Sequence, residues 1–526
     1  MVAVASHNAP IQGKPLGLCC VEASALIGLE AHSIRVEVCC TRGPALFQLV
    51  GLADAAVREA RVRITSSLAR LGILVDEYAL TVNLAPADLR KTGASLDVAM
   101  ALGVLGAIGK LDPKRLEGVL VLGELSLGGE LQPVRGVLPQ LEGARTRGLR
   151  VAIVPRGNRR EAGLVEGMQV LAAEDLAAVY AHLLGEERLP EVPLTDFQPE
   201  SQASRELDLS DVRGQSLARR ALEVVAAGGH NLLMIGPPGG GKTLLARLLP
   251  SILPPLSFSE AIEATAIHSV AGLIEPARGV VSRRPFRAPH HSVSDAALVG
   301  GGELPRPGEV SLAHHGVLFL DELAEFRRNT LESLRQPLED GTVLVSRARA
   351  RAVFPARAMV VAAVNPCPCG YYGHPRRHCR CGELQRKRYL SRLSGPLLDR
   401  LDVHVSVQPV AVEALTSKRS GETSAVVRER VIAARQRQIA RQAAGETRAP
   451  YNAQLSAKEV ELVAKPDREA TTVLTRSVNQ LGLSARAFVR VLRVARSIAD
   501  LEGDARVRKA HVIEAVQGRL LDREPI

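Results

Sequence analysis

Gly236-Pro237-Pro238-Gly239-Gly240-Gly241-Lys242-Thr243 has the spacing G-x-x-x-x-G-K-[ST], after the apolar run 232–235 and before the helix-like run 244–249. Glycines let backbone N–H groups turn inward around phosphate oxygens. The following helix adds the positive end of its dipole, and a lysine at this offset reaches the outer phosphates. Thr243 supplies a hydroxyl for Mg²⁺. A glycine-rich turn without a ligand would not need a strand before it and a helix after it, so the spacing predicts a site for ATP with Mg²⁺.

Two further runs extend the chemistry from binding to hydrolysis. Gly316-Val317-Leu318-Phe319-Leu320-Asp321-Glu322 reads as an apolar strand ending in two carboxylates. A strand buried on both faces of a parallel sheet can carry charge only at its end, where ligands bind. Asp321 there would hold Mg²⁺ through water, and Glu322 would orient and activate the attacking water. The run 359–364 is a third buried strand and ends at Asn365, a polar group able to sense the γ-phosphate. Lys242, Asp321, Glu322 and Asn365 are therefore the expected catalytic set.

Cys367, Cys369, Cys379 and Cys381 follow directly, spaced C-x-C-x9-C-x-C in a segment rich in Gly, Pro, His and Arg. Such a set reads as a four-thiolate structural zinc site, with His374 or His378 as alternatives for one ligand. The doublets Cys19-Cys20 and Cys39-Cys40 lie in strand-like runs, where neighbouring side chains face opposite ways. They read as core or surface residues.

Between the Glu322 and Asn365 strands, residues 341–354 read as a β-hairpin with Arg347, Arg349 and Arg351 near its tip. Arginines separated by alanines suit phosphate contact, although charge also keeps an exposed edge soluble. The chain has 526 residues, 67 Lys+Arg against 56 Asp+Glu, and a net charge of +11. That surplus favours a polyanionic partner. With no Trp, six Tyr and eight Phe, base stacking is a poor route to single-strand binding, so if nucleic acid is the partner, contacts should be mostly to phosphates and largely independent of sequence.

These side chains need elements to position them. Residues 1–185 alternate strands and helices, with 34–38 and 80–84 as strands. Residues 186–207, acidic and proline-containing, read as a linker. The nucleotide-binding module spans 208–409, and the helical periodicity of 426–439 and 487–499 predicts a helical domain over 410–526. A chain of this length exceeds one core. No run of about 18 apolar residues suggests a membrane span, and the absence of a signal-peptide pattern points to the cytoplasm.

The pattern as a whole resembles the ComM/YifB family of magnesium-chelatase-like AAA+ ATPases. In the first domain the likeness rests on Gly51-Leu52-Ala53-Asp54, Val82-Asn83-Leu84-Ala85-Pro86 and Pro133-Val134-Arg135-Gly136. In the motor it rests on Arg287-Ala288-Pro289-His290-His291-Ser292, Pro307-Gly308-Glu309, Asn365-Pro366-Cys367 and Gly395-Pro396-Leu397-Leu398-Asp399-Arg400. In the last domain it rests on Ser484-Ala485-Arg486. The resemblance implies an α/β fold: an AAA+ P-loop core with a helical lid, preceded by a Lon-protease-like α+β domain. It also implies a ring, of six subunits in the expected form, in which Arg400 is the finger offered to a neighbour's γ-phosphate and Arg486 the lid arginine that senses nucleotide. A salt bridge to Asp399 or Asp402 is the alternative for Arg400. Residues 290–302 match an insert that, with the arginine hairpin, would line a central pore. The Lon-like domain keeps Lys91-Thr92-Gly93-Ala94-Ser95, but Leu138 stands where the partner lysine of a protease belongs. A serine without that amine is a weak nucleophile, so peptidase activity is not expected.

The resemblance further implies an ATP-driven DNA motor, a helicase promoting branch migration in homologous recombination and natural transformation. The ATPase subunit of a magnesium-chelatase-type complex shares the motor motifs and is the alternative. A protein remodeller is a weaker one, because its pore loops usually present an aromatic residue where arginines stand here.

Overall fold

Alternation of apolar and polar residues along Glu30–Arg42 buries Ile34, Val36, Val38 and Cys40 completely on one face, as a strand of period two must. The computed structural model describes residues 15–52, 54–91, 93, 95–200, 207–347, 350–410, 421–482 and 484–519. Two units account for them, the first built from residues 1–197 with 265–281 and 346–352. Its seven-stranded sheet runs in the order Leu46–Val50, Tyr78–Ala85, Glu30–Arg42, Pro15–Ile27, Val119–Val121, Val151–Pro155, Gln169–Ala173. Pro15–Ile27 and Glu30–Arg42 form a long antiparallel hairpin, whereas the last three strands are parallel.

The helices Ala55–Arg70 and Asp97–Ala107 cover the buried face. The second lies so close that a Cβ on Gly103 would meet Val38 Cγ2 at 2.6 Å, and one on Gly106 would meet Cys19 Sγ at 2.4 Å. Cys19 and Cys40 point into this core, while Cys20 is exposed and Cys39 half-buried. The doublets thus straddle the sheet, and burial pushes the Cys19 thiol up to about 11. Leu138 is fully buried in the helix Val137–Thr146. Ser95 is half-buried just before Asp97–Ala107, and Lys91 is buried with its ammonium on the Pro86 carbonyl. Residues 190–195 run along the first unit: Val192 N–H donates to Val170 O (2.8 Å) and Thr195 N–H to Gly163 O (2.8 Å).

The second unit comprises residues 198–264, 282–345 and 353–526. Its sheet has the order Phe286–Arg287, Val317–Leu320, Met359–Val364, Leu232–Ile235, Val403–Ser406, all parallel. Every residue of Met359–Val364 is buried, as expected of a strand covered on both faces. Among the described residues five α-helices follow: Ser424–Ala443, Ala457–Ala464, Arg468–Leu481, Ala485–Glu502 and Lys509–Gln517. Their apolar faces do not form a separate core. Val427, Val431, Val491, Leu492, Ala495 and Ile498 join Leu222, Val225, Leu249 and Val361 in one continuous cluster. The arginine segment forms the hairpin Thr342–Arg347 and Ala350–Pro355.

Candidate active site

Parallel register brings three sequence-distant segments to one edge of the sheet. Ile235 pairs with Val364 and Ser406, and Leu320 pairs with Ala362, so Gly236, Asp321 and Asn365 all leave the sheet at its carboxyl edge, where such sheets bind ligands. The loop after Leu232–Ile235 is shaped by its glycines. Gly239 and Gly241 have φ of 77° and 87°, a region open to glycine at little cost. A Cβ at Gly236 would fall 2.0 Å from Val407 O. Pro237 is buried, whereas Pro238 and Gly239 are exposed. Gly240 O accepts a bond of 3.1 Å from Gln215 Nε2.

Lys242 opens the helix Lys242–Ile252 and is 7% exposed. Its ammonium donates to Gly236 O (2.6 Å), Pro237 O (2.9 Å) and Asn365 Oδ1 (3.1 Å). Burial lowers its pKa, opposed by the charges of Asp321 and Glu322. Thr243 Oγ1 donates to Asp321 Oδ2 at 2.8 Å. The strand-end asparagine, the loop lysine, the hydroxyl and the first carboxylate therefore form one connected site. Its donors fit a magnesium–nucleotide group: the open glycine loop suits phosphate oxygens, and a hydroxyl beside a carboxylate suits a hard cation.

Glu322 follows with φ of 52°, a left-handed conformation that is uncommon outside glycine. Its N–H donates to Asp321 Oδ1 at 2.9 Å. The side chain is half-exposed, with one carboxylate oxygen 3.4 Å from His291 Nδ1. His291 packs against His290 with ring centres 4.0 Å apart and planes tilted by 35°, and meets the Phe326 ring edge-on. Both histidines begin the 290–302 segment, which leaves the sheet after Arg287. The Arg287 guanidinium is held by both oxygens of Glu309, at 2.6 and 2.8 Å.

Arg400 lies outside this cluster. Its guanidinium donates to Glu339 and, at 2.7 Å, to Pro396 O. Asp399 and Asp402 are instead approached by Arg490, at 3.6 and 3.7 Å. Asn231, immediately before the loop strand, joins the Arg400 turn to the sheet: Nδ2 donates to Arg400 O (3.0 Å), Oδ1 accepts from Val360 N–H (2.8 Å), and its N–H donates to Asp402 Oδ2 (3.0 Å). Arg486 is exposed at the start of Ala485–Glu502. Arg347 and Arg351 are exposed on the two hairpin strands, and Arg349 lies outside the described residues.

The four thiols come together: all four sulfurs lie within 4.8 Å of one another. Cys367 Sγ is 3.4 Å from Cys369 Sγ and 3.6 Å from Cys379 Sγ. Those separations match the edges of a tetrahedron with metal–sulfur bonds of about 2.3 Å. N–H donation from the Tyr371 and Arg380 backbones lowers the Cys369 thiol, whereas burial raises that of Cys367. His374 Nδ1 accepts from the N–H groups of Arg376 and Arg377 instead. Sequence reasoning missed Gln215, Asn231 and Glu339 as partners, and read His291 only as part of a motif.

No helix among the described residues is long and apolar enough to cross a membrane. Family models for the magnesium chelatase subunit ChlI match residues 208–415 and 36–158, and the model for its C-terminal region matches 421–519. The chain is 44% identical over 512 residues to the protein YifB of Escherichia coli K12, covering 97% of this chain and 98% of that one. It is 43% identical over 515 residues to the competence protein ComM of Haemophilus influenzae Rd, with the same coverage. A shorter match, 29% identity over 164 residues, relates 29% of this chain to 28% of Lon protease 2 of Bacillus subtilis 168. Full-length identity at this level, with the phosphate loop, paired carboxylates and strand-end asparagine at one sheet edge, places the chain in the ComM/YifB family of magnesium-chelatase-like AAA+ ATPases.

Proposed function

We propose that the chain is an ATP-hydrolysing motor that assembles into a hexameric ring and drives branch migration of DNA in homologous recombination. The observation that carries the ATPase reading is the convergence of Lys242, Thr243, Asp321 and Asn365 on one edge. Lys242, with the N–H groups that the loop 236–243 offers outside Pro237 and Pro238, binds the phosphates. Thr243 and Asp321 hold Mg²⁺, which when bound neutralises charge on the outer phosphates. Glu322 takes the proton of the attacking water, and Asn365 orients the γ-phosphate. Arg400 reaches the phosphate of the neighbouring subunit, and Arg486 reports nucleotide to the lid. Residues 1–185 act as a Lon-like scaffold without peptidase activity, 186–207 as the link to the motor at 208–409, and 410–526 as its lid. The four thiolates hold a structural zinc ion.

The DNA reading is supported by the exposed Arg347 and Arg351 on adjacent strands, by the net charge of +11, and by the Haemophilus relative being a competence protein. The chelatase-subunit reading is favoured by the family models themselves. Purified protein, incubated with a four-way junction with and without ATP, decides between them. The DNA motor gives ATP-dependent strand exchange and a junction-stimulated ATPase. Replacing Arg347, Arg349 and Arg351 by alanine weakens junction binding and flattens its salt dependence. An ATPase rate indifferent to every DNA, with no strand exchange, sinks the DNA reading.

A further inference from the structure

Arg400 offers a planar guanidinium with five N–H donors, and two of them are engaged inside its own chain. One goes to the Pro396 carbonyl and another to Glu339, while the buried Nε has no partner among the described residues. Glu339 lies near the end of the short helix Arg335–Asp340, and the first strand of the arginine hairpin begins at Thr342. Its carboxylate is about half-exposed, whereas Arg400 is 13% exposed. Arg486 and Arg490, on the lid helix Ala485–Glu502, add their fields to that of Arg400. Together the three arginines hold the Glu339 carboxyl below the usual range, the Arg400 hydrogen bond contributing most. One carboxylate thus stands before three arginines, two of which the proposed function assigns to nucleotide.

We infer that Glu339 is an internal substitute for the γ-phosphate: in a lone subunit it occupies the Arg400 guanidinium, and ring closure exchanges it for the neighbour's nucleotide. The exchange is chemically even, because both ligands are oxyanions presenting two acceptors to a fork-shaped donor. A half-exposed carboxylate is the weaker of the two, since water screens its attraction. A phosphate between subunits carries more charge and displaces it. Freed Glu339 releases the segment at the base of the hairpin, so contact between one subunit's finger and its neighbour's ATP is felt where the hairpin is anchored. The same latch keeps free subunits from presenting an open arginine to other phosphates.

This inference rests on Arg400 acting as the finger, and the test separates the two. ATP turnover per subunit is measured against protein concentration, without DNA, for the full chain and for Glu339→Gln, Glu339→Ala, Arg400→Ala and the Glu339→Ala/Arg400→Ala double variant. Thermal melting of each confirms folding. Removing the latch raises turnover about two- to five-fold at concentrations where the parent is half-assembled, with the KM for ATP unchanged. Arg400→Ala lowers turnover by about 10³–10⁵-fold, and the double variant matches it. Turnover of both Glu339 variants that superimposes on the parent or falls below it overturns the latch while leaving the finger intact. A rise that persists undiminished when Arg400 is absent also overturns it. Undiminished turnover in Arg400→Ala overturns the finger assignment, and the latch with it.

Discussion

Replacing Glu322 with glutamine changes one atom and leaves the shape of the site. The left-handed backbone at this residue is kept, since Gln and Glu meet the same steric limits there. The Thr243–Asp321 bond and the three acceptors of Lys242 are untouched. What is lost, in the role proposed for Glu322, is the base. General-base catalysis contributes about 10²–10⁴-fold, or about 2.7–5.4 kcal/mol at 1.36 kcal/mol per decade. Ground-state binding responds much less. The Glu322 side chain is 52% exposed, so its repulsion of bound phosphate is screened to about 1 kcal/mol or less, and its removal tightens ATP by less than about five-fold. Steady-state turnover should therefore fall at least about 100-fold, while nucleotide affinity, read by titration of a fluorescent ATP analogue, stays level or improves. A fall below ten-fold would mean that another group positions the water. A matching loss of affinity would mean that Glu322 shapes the loop instead of doing chemistry.

Three further outcomes follow from the same geometry. Asp500 is fully buried and accepts from Arg441 (2.6 Å), Arg496 (3.0 Å) and Asn452 (2.8 Å). Asp500→Asn leaves the buried Arg496 and the partly buried Arg441 guanidinium groups undercompensated and should cost about 3–5 kcal/mol in denaturant unfolding. The zinc assignment predicts that the purified chain carries a single zinc ion by elemental analysis, that Cys369→Ser and Cys381→Ser lose it, and that a strong chelator lowers the melting temperature. His315 lies in the left-handed region at φ 57°, and burial, with the charge of His314, depresses its pKa from 6.5 to about 4. Because its folded pKa lies below the unfolded one, the neutral ring favours the fold above pH 6.5, and that contribution is lost as pH falls towards 4. His315→Asn, which tolerates the same backbone, should flatten the melting-temperature curve across that window; an unchanged slope assigns the acid loss to other groups.

The parts of the site that a local run of residues can encode are legible in the amino-acid sequence alone. The phosphate loop, Asp321-Glu322 and Asn365 each carry their context within a few residues, because a buried parallel strand must end before its polar group begins. The two strand runs in the first domain and the helical spans in the last one reappear within Glu30–Arg42, Tyr78–Ala85, Ser424–Ala443 and Ala485–Glu502. Contacts between distant segments are not legible in this way. Glu339 and Arg400 lie 61 positions apart, and no periodicity links them. For Arg400 the nearby Asp399 and Asp402 look like natural partners, yet Arg490 on the helix Ala485–Glu502 takes that position. Asn231 has three partners on two segments, which only the strand order brings together.

The apolar cluster that runs without a break from the five-stranded parallel sheet into the C-terminal helices limits how the chain can be dissected. A fragment cut at residue 409 would bare Leu222, Val225 and Leu249 to water and should precipitate instead of yielding a working ATPase. In the ring proposed above, the same continuity would couple sheet and helices, so that a stroke started at a bound phosphate would move them together and the give would fall at the joints between one copy and the next.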